Sequence, residues 1–134
     1  MNGQLIVNGG VGVVGAFIAS AFGGWHESLT FLLFVIGADI ITGIYASIAE
    51  GRGLNSAVAS IGAAKKGLMI LVILLAHRAD ILLELDNATM LAAVYFYIAN
   101  ELISITENLG RAGVPLPDKL RDIIEVLKKK GGVK

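Results

Sequence analysis

Between Tyr95 and Asn108 the chain reads Tyr-Phe-Tyr-Ile-Ala-Asn-Glu-Leu-Ile-Ser-Ile-Thr-Glu-Asn, apolar enough to enter a bilayer yet carrying carboxylates and amides. On an α-helix, Tyr97, Asn100, Glu101, Ser104, Glu107 and Asn108 fall at i, i+3, i+4, i+7, i+10 and i+11, which is one polar stripe along one face. Lipid offers such groups no hydrogen bonds, so each must find a partner on another helix or face water. The stripe therefore predicts either a hydrated lumen or a buried polar seam.

Three further ionisable groups fall inside apolar stretches: Asp39, Arg78 and Asp80. A charge at the centre of a spanning helix costs on the order of 3 kcal/mol on insertion scales, so these groups are expected to pair, protonate or face water. Counting depth along the spans makes an Arg78 to Asp39 ion pair the leading expectation, with Arg78 to Asp80 or snorkelling of Arg78 as alternatives. The same count puts Glu107 at the depth of Lys65 and Lys66.

Catalysis finds no purchase. The chain has no cysteine, which removes disulfides, thiolate metal sites and cysteine nucleophiles. His26 and His77 form no metal-ligand pattern, and no nucleophile and base pair or phosphate loop is present. A non-enzyme without metal or cofactor is expected.

The elements that position these residues are spans. Of 134 residues, 55% are hydrophobic and 16% charged, a balance that leaves a soluble domain too little polar surface. Four windows reach the roughly 20 apolar residues that a hydrocarbon core requires: 5–24, 28–49, 67–85 and 88–106. The expected architecture is all-α, an integral membrane helical domain over residues 1–110 followed by a short amphipathic helix and basic tail over 111–134. All Lys and Arg except Arg78 lie between the second and third windows or beyond the fourth, the last of them Lys134. The positive-inside rule then places both termini and the central loop in the cytoplasm.

The first window is the weakest span, because Asn8, Gly9, Gly10 and Gly12 lower its hydrophobicity and helix propensity. Ala19-Ser20-Ala21 imitates a leader cleavage site, but no basic residue precedes it, and a retained span is expected. Gly12, Ala16, Ser20 and Gly24 recur every four residues, beside a second ridge of Gly15, Ala19 and Gly23. Small residues at this spacing let backbones approach closely, within one subunit or between subunits.

Between the second and third windows, Leu54 to Ala64 carries Leu54, Val58 and Ile61 at helical spacing and reads as a short interfacial helix. After the fourth, Gly110 is placed to cap the helix and Pro115 and Pro117 block its continuation. Asp118 opens a helix with an apolar face of Leu120, Ile123, Ile124 and Leu127 and a charged face of Lys119, Arg121, Asp122, Glu125 and Lys128. Such a helix suits anionic lipid or another subunit. The tail lacks the length and aromatic interleaving of a nucleic-acid module, so no nucleic-acid partner is expected.

Asp39-Ile-Ile-Thr-Gly43, Lys65-Lys-Gly67, Asp80 and above all Phe96-Tyr-Ile-Ala-Asn-Glu-Leu-Ile-Ser-Ile-Thr-Glu-Asn108 followed by Gly113-Val-Pro115 resemble the Gram-positive phage lysis and toxin-secretion holins, phage holin family 4. The resemblance covers roughly Asp39 to Leu127; the glycine-rich first window carries no matching motif. It implies a small protein that forms homo-oligomers in the host bacterial cytoplasmic membrane and permeabilises it, so that a phage endolysin reaches the cell wall. Some members of that family are implicated in toxin release instead. Two readings from other classes rest on the same ionisable residues: a selective ion channel or transporter, and a non-conducting scaffold.

Overall fold

The computed structural model describes residues 2–133; Lys134, counted above in the basic tail, lies outside the described residues. Five helices follow one another: α1 Gly3–Ala21, α2 Glu27–Ala49, α3 Ser56–Leu83, α4 Ala88–Arg111 and α5 Asp118–Lys130. No strand occurs among the described residues. The first four helices are each long and apolar enough to cross a membrane, and the chain is an all-α membrane protein.

α4 is the centre of the bundle. It packs against α2, α3 and α5 and buries Met90, Val94, Ile98, Ala99, Glu101, Leu102 and Asn108. α2 contributes Leu29, Leu32 and Val35 at helical spacing, and α3 contributes Ile73, with Met69, Ile70 and Leu74 beside it. The outward faces, including Phe34, Ile41, Leu75 and Leu82, are exposed apolar surface, as lipid-facing surface must be.

Two boundaries differ from the sequence reading. The stretch 54–64 is not a separate interfacial helix: α3 runs unbroken from Ser56 to Leu83. The side chain of Asn55 caps it by accepting the amides of Ala57 (3.0 Å) and Val58 (3.4 Å), and Gly62 and Gly67 are tolerated inside it because a lone glycine costs only about 1 kcal/mol. Likewise, α4 continues through Gly110 to Arg111, and Gly113 (φ 73°) is the left-handed residue that ends it. The amide of Val114 closes that turn on the carbonyl of Leu109 at 2.9 Å.

The α3–α4 connection is tight. Glu84, Asp86 and Asn87 all take positive φ (55°, 49° and 62°), an uncommon run for residues other than glycine. What holds it is Asp80, whose fully buried carboxylate accepts the amides of Thr89 (3.0 Å) and Met90 (2.7 Å) in the first turn of α4. A carboxylate from one helix thus satisfies the exposed amides and positive dipole end of the next.

α1 stands apart: none of its residues is buried. The anchor comes just after it, where Phe22 is buried and meets Trp25 edge to face at 5.8 Å. The small-residue ridges divide accordingly. Gly12 and Gly15 have no neighbour close enough to touch an added methyl, and Ala16 and Ser20 are exposed, whereas Gly23 (φ 69°) lies directly against the imidazole of His77.

Candidate functional site

The helices bring together a polar seam that starts near the middle of α4. Lys66 on α3 donates to Asp39 Oδ2 on α2 at 2.8 Å and to Glu101 Oε2 on α4 at 2.6 Å. One ammonium therefore ties all three packed spans. The side chains of Lys66, Asp39 and Glu101 retain only 18%, 13% and 8% of their exposure, so this pairing is shielded from water and lipid alike.

Asn108, two helical turns further along α4, continues the seam. Its Nδ2 donates to Asp39 Oδ1 (3.0 Å), the Asp39 carbonyl (3.3 Å) and Thr42 Oγ1 (3.1 Å). Thr42 in turn donates to the carbonyl of Ala38 at 2.8 Å. Gly43 lies beside these bonds, where a Cβ would sit in ordinary contact, 3.4 Å from Asn108 Nδ2. At the end of the helix Arg111 joins Asn108 Oδ1 (3.3 Å) to Glu50, which it grips with two bonds of 2.8 and 2.9 Å. Arg52 reaches the same carboxylate at 3.1 Å. The hydrogen bonds from Arg111 hold the Glu50 carboxyl below the ordinary carboxylate range.

Glu101, Lys66, Asp39, Asn108, Arg111 and Glu50 thus form a continuous ladder of charge-assisted hydrogen bonds from mid-span to the helix end. Each rung satisfies a group that lipid would not. Chemically the ladder can hold the three spans in register, or, once separated, offer carboxylate and amide groups to water. Among the described residues no cluster of His, Asp or Glu has the arrangement of a metal site.

The structure splits the stripe read from the sequence. Glu101 and Asn108 are buried in the seam and Tyr97 and Ser104 are partly buried on the same side, while Asn100 and Glu107 are exposed. The proposed pair of Arg78 with Asp39 does not form. Arg78 is exposed, 12 positions and so roughly 120° round α3 from Lys66 at 3.6 residues per turn; Lys66 takes the place assigned to it. Asp80 does not pair with Arg78 either, because both its oxygens serve the α4 amides. Nor does Glu107 meet Lys66: the lysine reaches Glu101 instead. The bridge made by Lys66 does not follow from the span windows, because the third window starts after it at residue 67 whereas α3 starts at Ser56. Its signal was there in the α3 stripe of Lys66, Ile70, Ile73, His77 and Asp80, which marks one inward face.

Residues 16–129 match the bacteriophage holin family. The chain belongs to that family. The match contains the whole seam and all of α5 but its last residue, and it begins within α1, in keeping with the separateness of that helix. Relatives of this holin-family chain include an uncharacterized protein of Halalkalibacterium halodurans, 40% identical over 121 residues (87% of this chain and 89% of the relative). An uncharacterized protein of Listeria monocytogenes is 36% identical over 129 residues (96% and 91%). A protein named as a probable holin, from Bacillus phage phi105, is 39% identical over 90 residues (67% and 66%). No solved structure matches.

Proposed function

We propose that this holin-family protein accumulates in the bacterial cytoplasmic membrane, assembles into homo-oligomers and permeabilises the membrane, releasing an endolysin to the cell wall. The observation that carries the reading is the Lys66–Asp39–Glu101–Asn108 seam. A lesion needs polar surface inside spanning helices, and a harmless resting state needs that surface closed. In one subunit the seam is closed on itself, so the resting state exposes apolar residues to lipid; parted in an assembly, the same groups give a lumen wall that water can wet. The two arrangements differ by a balance of opposing contacts, which a change in subunit density can tip.

In this reading both termini and the α2–α3 loop face the cytoplasm, since Arg52, Lys65, Lys66 and the tail lysines flank that side. Endolysin is a functional partner that needs no direct contact with the protein, and a toxin is an alternative cargo.

The test is inducible expression in a bacterium with simultaneous recording of membrane potential and of a co-expressed cytoplasmic endolysin. Abrupt depolarisation with endolysin release is expected. Depolarisation alone would replace the holin role with a small channel, and neither event, with the protein present in the membrane, would leave a non-conducting scaffold.

A further inference from the structure

α5 does not project from the bundle; it folds back along α4. From the turn at Gly113 it returns far enough that Gly131 lies against Tyr95 and Ala99. A Cβ on Gly131 would fall 2.7 Å from the Tyr95 carbonyl oxygen and 2.8 Å from the Ala99 methyl. Lys130 stands over the Tyr95 ring, 5.4 Å from its centroid. Tyr95 and Ala99 are seven and eleven positions into α4, about 10–17 Å from its start at ~1.5 Å per residue. The basic end of α5 is thereby carried to the middle of a membrane span.

That position conflicts with lipid. Lys119, Arg121, Asp122, Glu125, Lys129 and Lys130 are all exposed on the docked helix, and charges at that depth in hydrocarbon are strongly unfavourable. Docked, α5 needs water along its outer face; otherwise it must leave α4. The contact is built to be left. Only Ile124 is buried, with Leu127 partly so, while Leu120, Ile123 and Val126 remain exposed. A cleft of about 460 Å³ lies between the helices, lined by Ile103, Thr106, Gly110, Leu116 and Ile124 among others. The unused apolar residues and the lysine-rich end are what an interfacial helix sets against anionic headgroups.

We infer that α5 is an autoinhibitory latch: docked on the Tyr95–Ala99 flank of α4 it keeps the subunit from joining a lesion, and moving to the anionic headgroup layer beside Arg111 it frees that flank. This rests on the permeabilising role proposed above. The docked position lasts only where water follows the charged face of α5 along the bundle, and lipid charge and subunit crowding decide whether it does.

The chain lacks cysteine, so a disulfide clasp can be introduced cleanly. An Ala99→Cys, Gly131→Cys pair starts about 1 Å closer than the ~3.8 Å Cβ separation of a disulfide and sets a Cβ 2.7 Å from the Tyr95 carbonyl oxygen, so the clasped state holds α5 about 1 Å further from α4, an opening that relieves both contacts for cysteine but is too small for the side chain of a leucine. The full-length variant is reconstituted in phosphatidylglycerol-containing vesicles loaded with dye. The pair should crosslink efficiently, leak at least tenfold more slowly when oxidised, and recover on reduction. Equal leakage in the two states, or failure to crosslink in the membrane, would overturn the latch. Gly131→Leu, which cannot dock without displacing α5 from the Tyr95 carbonyl, should leak sooner than wild type, and slower or unchanged leakage counts against the proposal. Wild-type protein that releases no dye at any density would instead sink the permeabilising role itself.

Discussion

Lys66 Nζ lies 2.6 Å from Glu101 Oε2, and the same ammonium lies 2.8 Å from Asp39 Oδ2. This one side chain neutralises carboxylates from two other helices, so its removal leaves both without their cation. Breaking a buried pair by deleting one partner costs roughly 3–5 kcal/mol. Lys66→Met should therefore lower the thermal stability of the detergent-solubilised protein sharply, and Glu101→Gln in the same chain should restore part of it. Arg78→Leu, by contrast, should melt like wild type, since Arg78 is exposed. A Lys66→Met protein as stable as wild type would remove the seam from the list of forces holding the bundle.

The spans and their polar character were legible in the sequence because hydropathy and helical periodicity are local properties. The partner of Asp39 was not, because the third window starts at residue 67 and leaves Lys66 at its edge; α3 begins at Ser56, which sets Lys66 well inside the helix at the depth of Asp39, about 18 Å along α3 from Arg78. The link from Asn108 to Thr42 joins two stripes that had each been read separately, and only packing of α2 on α4 shows that they face each other. The amphipathic face of α5 was visible too. That it lies on α4 was not, since periodicity says that a face exists and not what covers it.

Gly23 is the one glycine of the small-residue ridges at which an added Cβ would meet another helix. It has φ 69°, and a Cβ there would enter the His77 ring. Gly23→Ala combines a left-handed backbone with a steric overlap, and left-handed strain alone costs on the order of 1–3 kcal/mol. The variant should melt several degrees lower. Adding His77→Ala should return the part due to the ring and leave the backbone part, so a double variant no more stable than Gly23→Ala would show that the imidazole is not the obstacle.

Glu50 and Arg111 close the end of the seam, and their pairing carries a pH signature. The Glu50 carboxyl lies below its ordinary value of 4.5, first because of the hydrogen bonds from Arg111. A carboxyl depressed by folding contributes stability that is fully present above its unfolded value and is lost as pH falls through the folded one. Protection of the Ala112 amide, which donates to Asn108 at the end of α4, should thus hold constant above about pH 5 and decline in acid. Glu50→Gln should show the lower protection throughout and no such decline. A wild-type profile that is flat between pH 5 and pH 3 would dissociate Glu50 from the closure of α4.

Asp80 supplies the sharpest separation between a structural and a lumen-lining carboxylate. Both its oxygens are used by backbone amides at the start of α4, and its side chain is fully buried. It acts as a cap borrowed from the preceding helix, and loss of a capping side chain costs about 0.5–2 kcal/mol, more where the freed amides stay buried. Asp80→Ala should raise hydrogen exchange at Thr89 and Met90 while exchange at Asn108, at the far end of α4, stays as in wild type. Asp80→Asn, which keeps an acceptor but no charge, should fall between the two. Were Asp80→Ala instead to leave the Thr89 and Met90 amides protected and change only ion or dye permeation, Asp80 would be a group that meets water, and the tight α3–α4 turn would need another anchor.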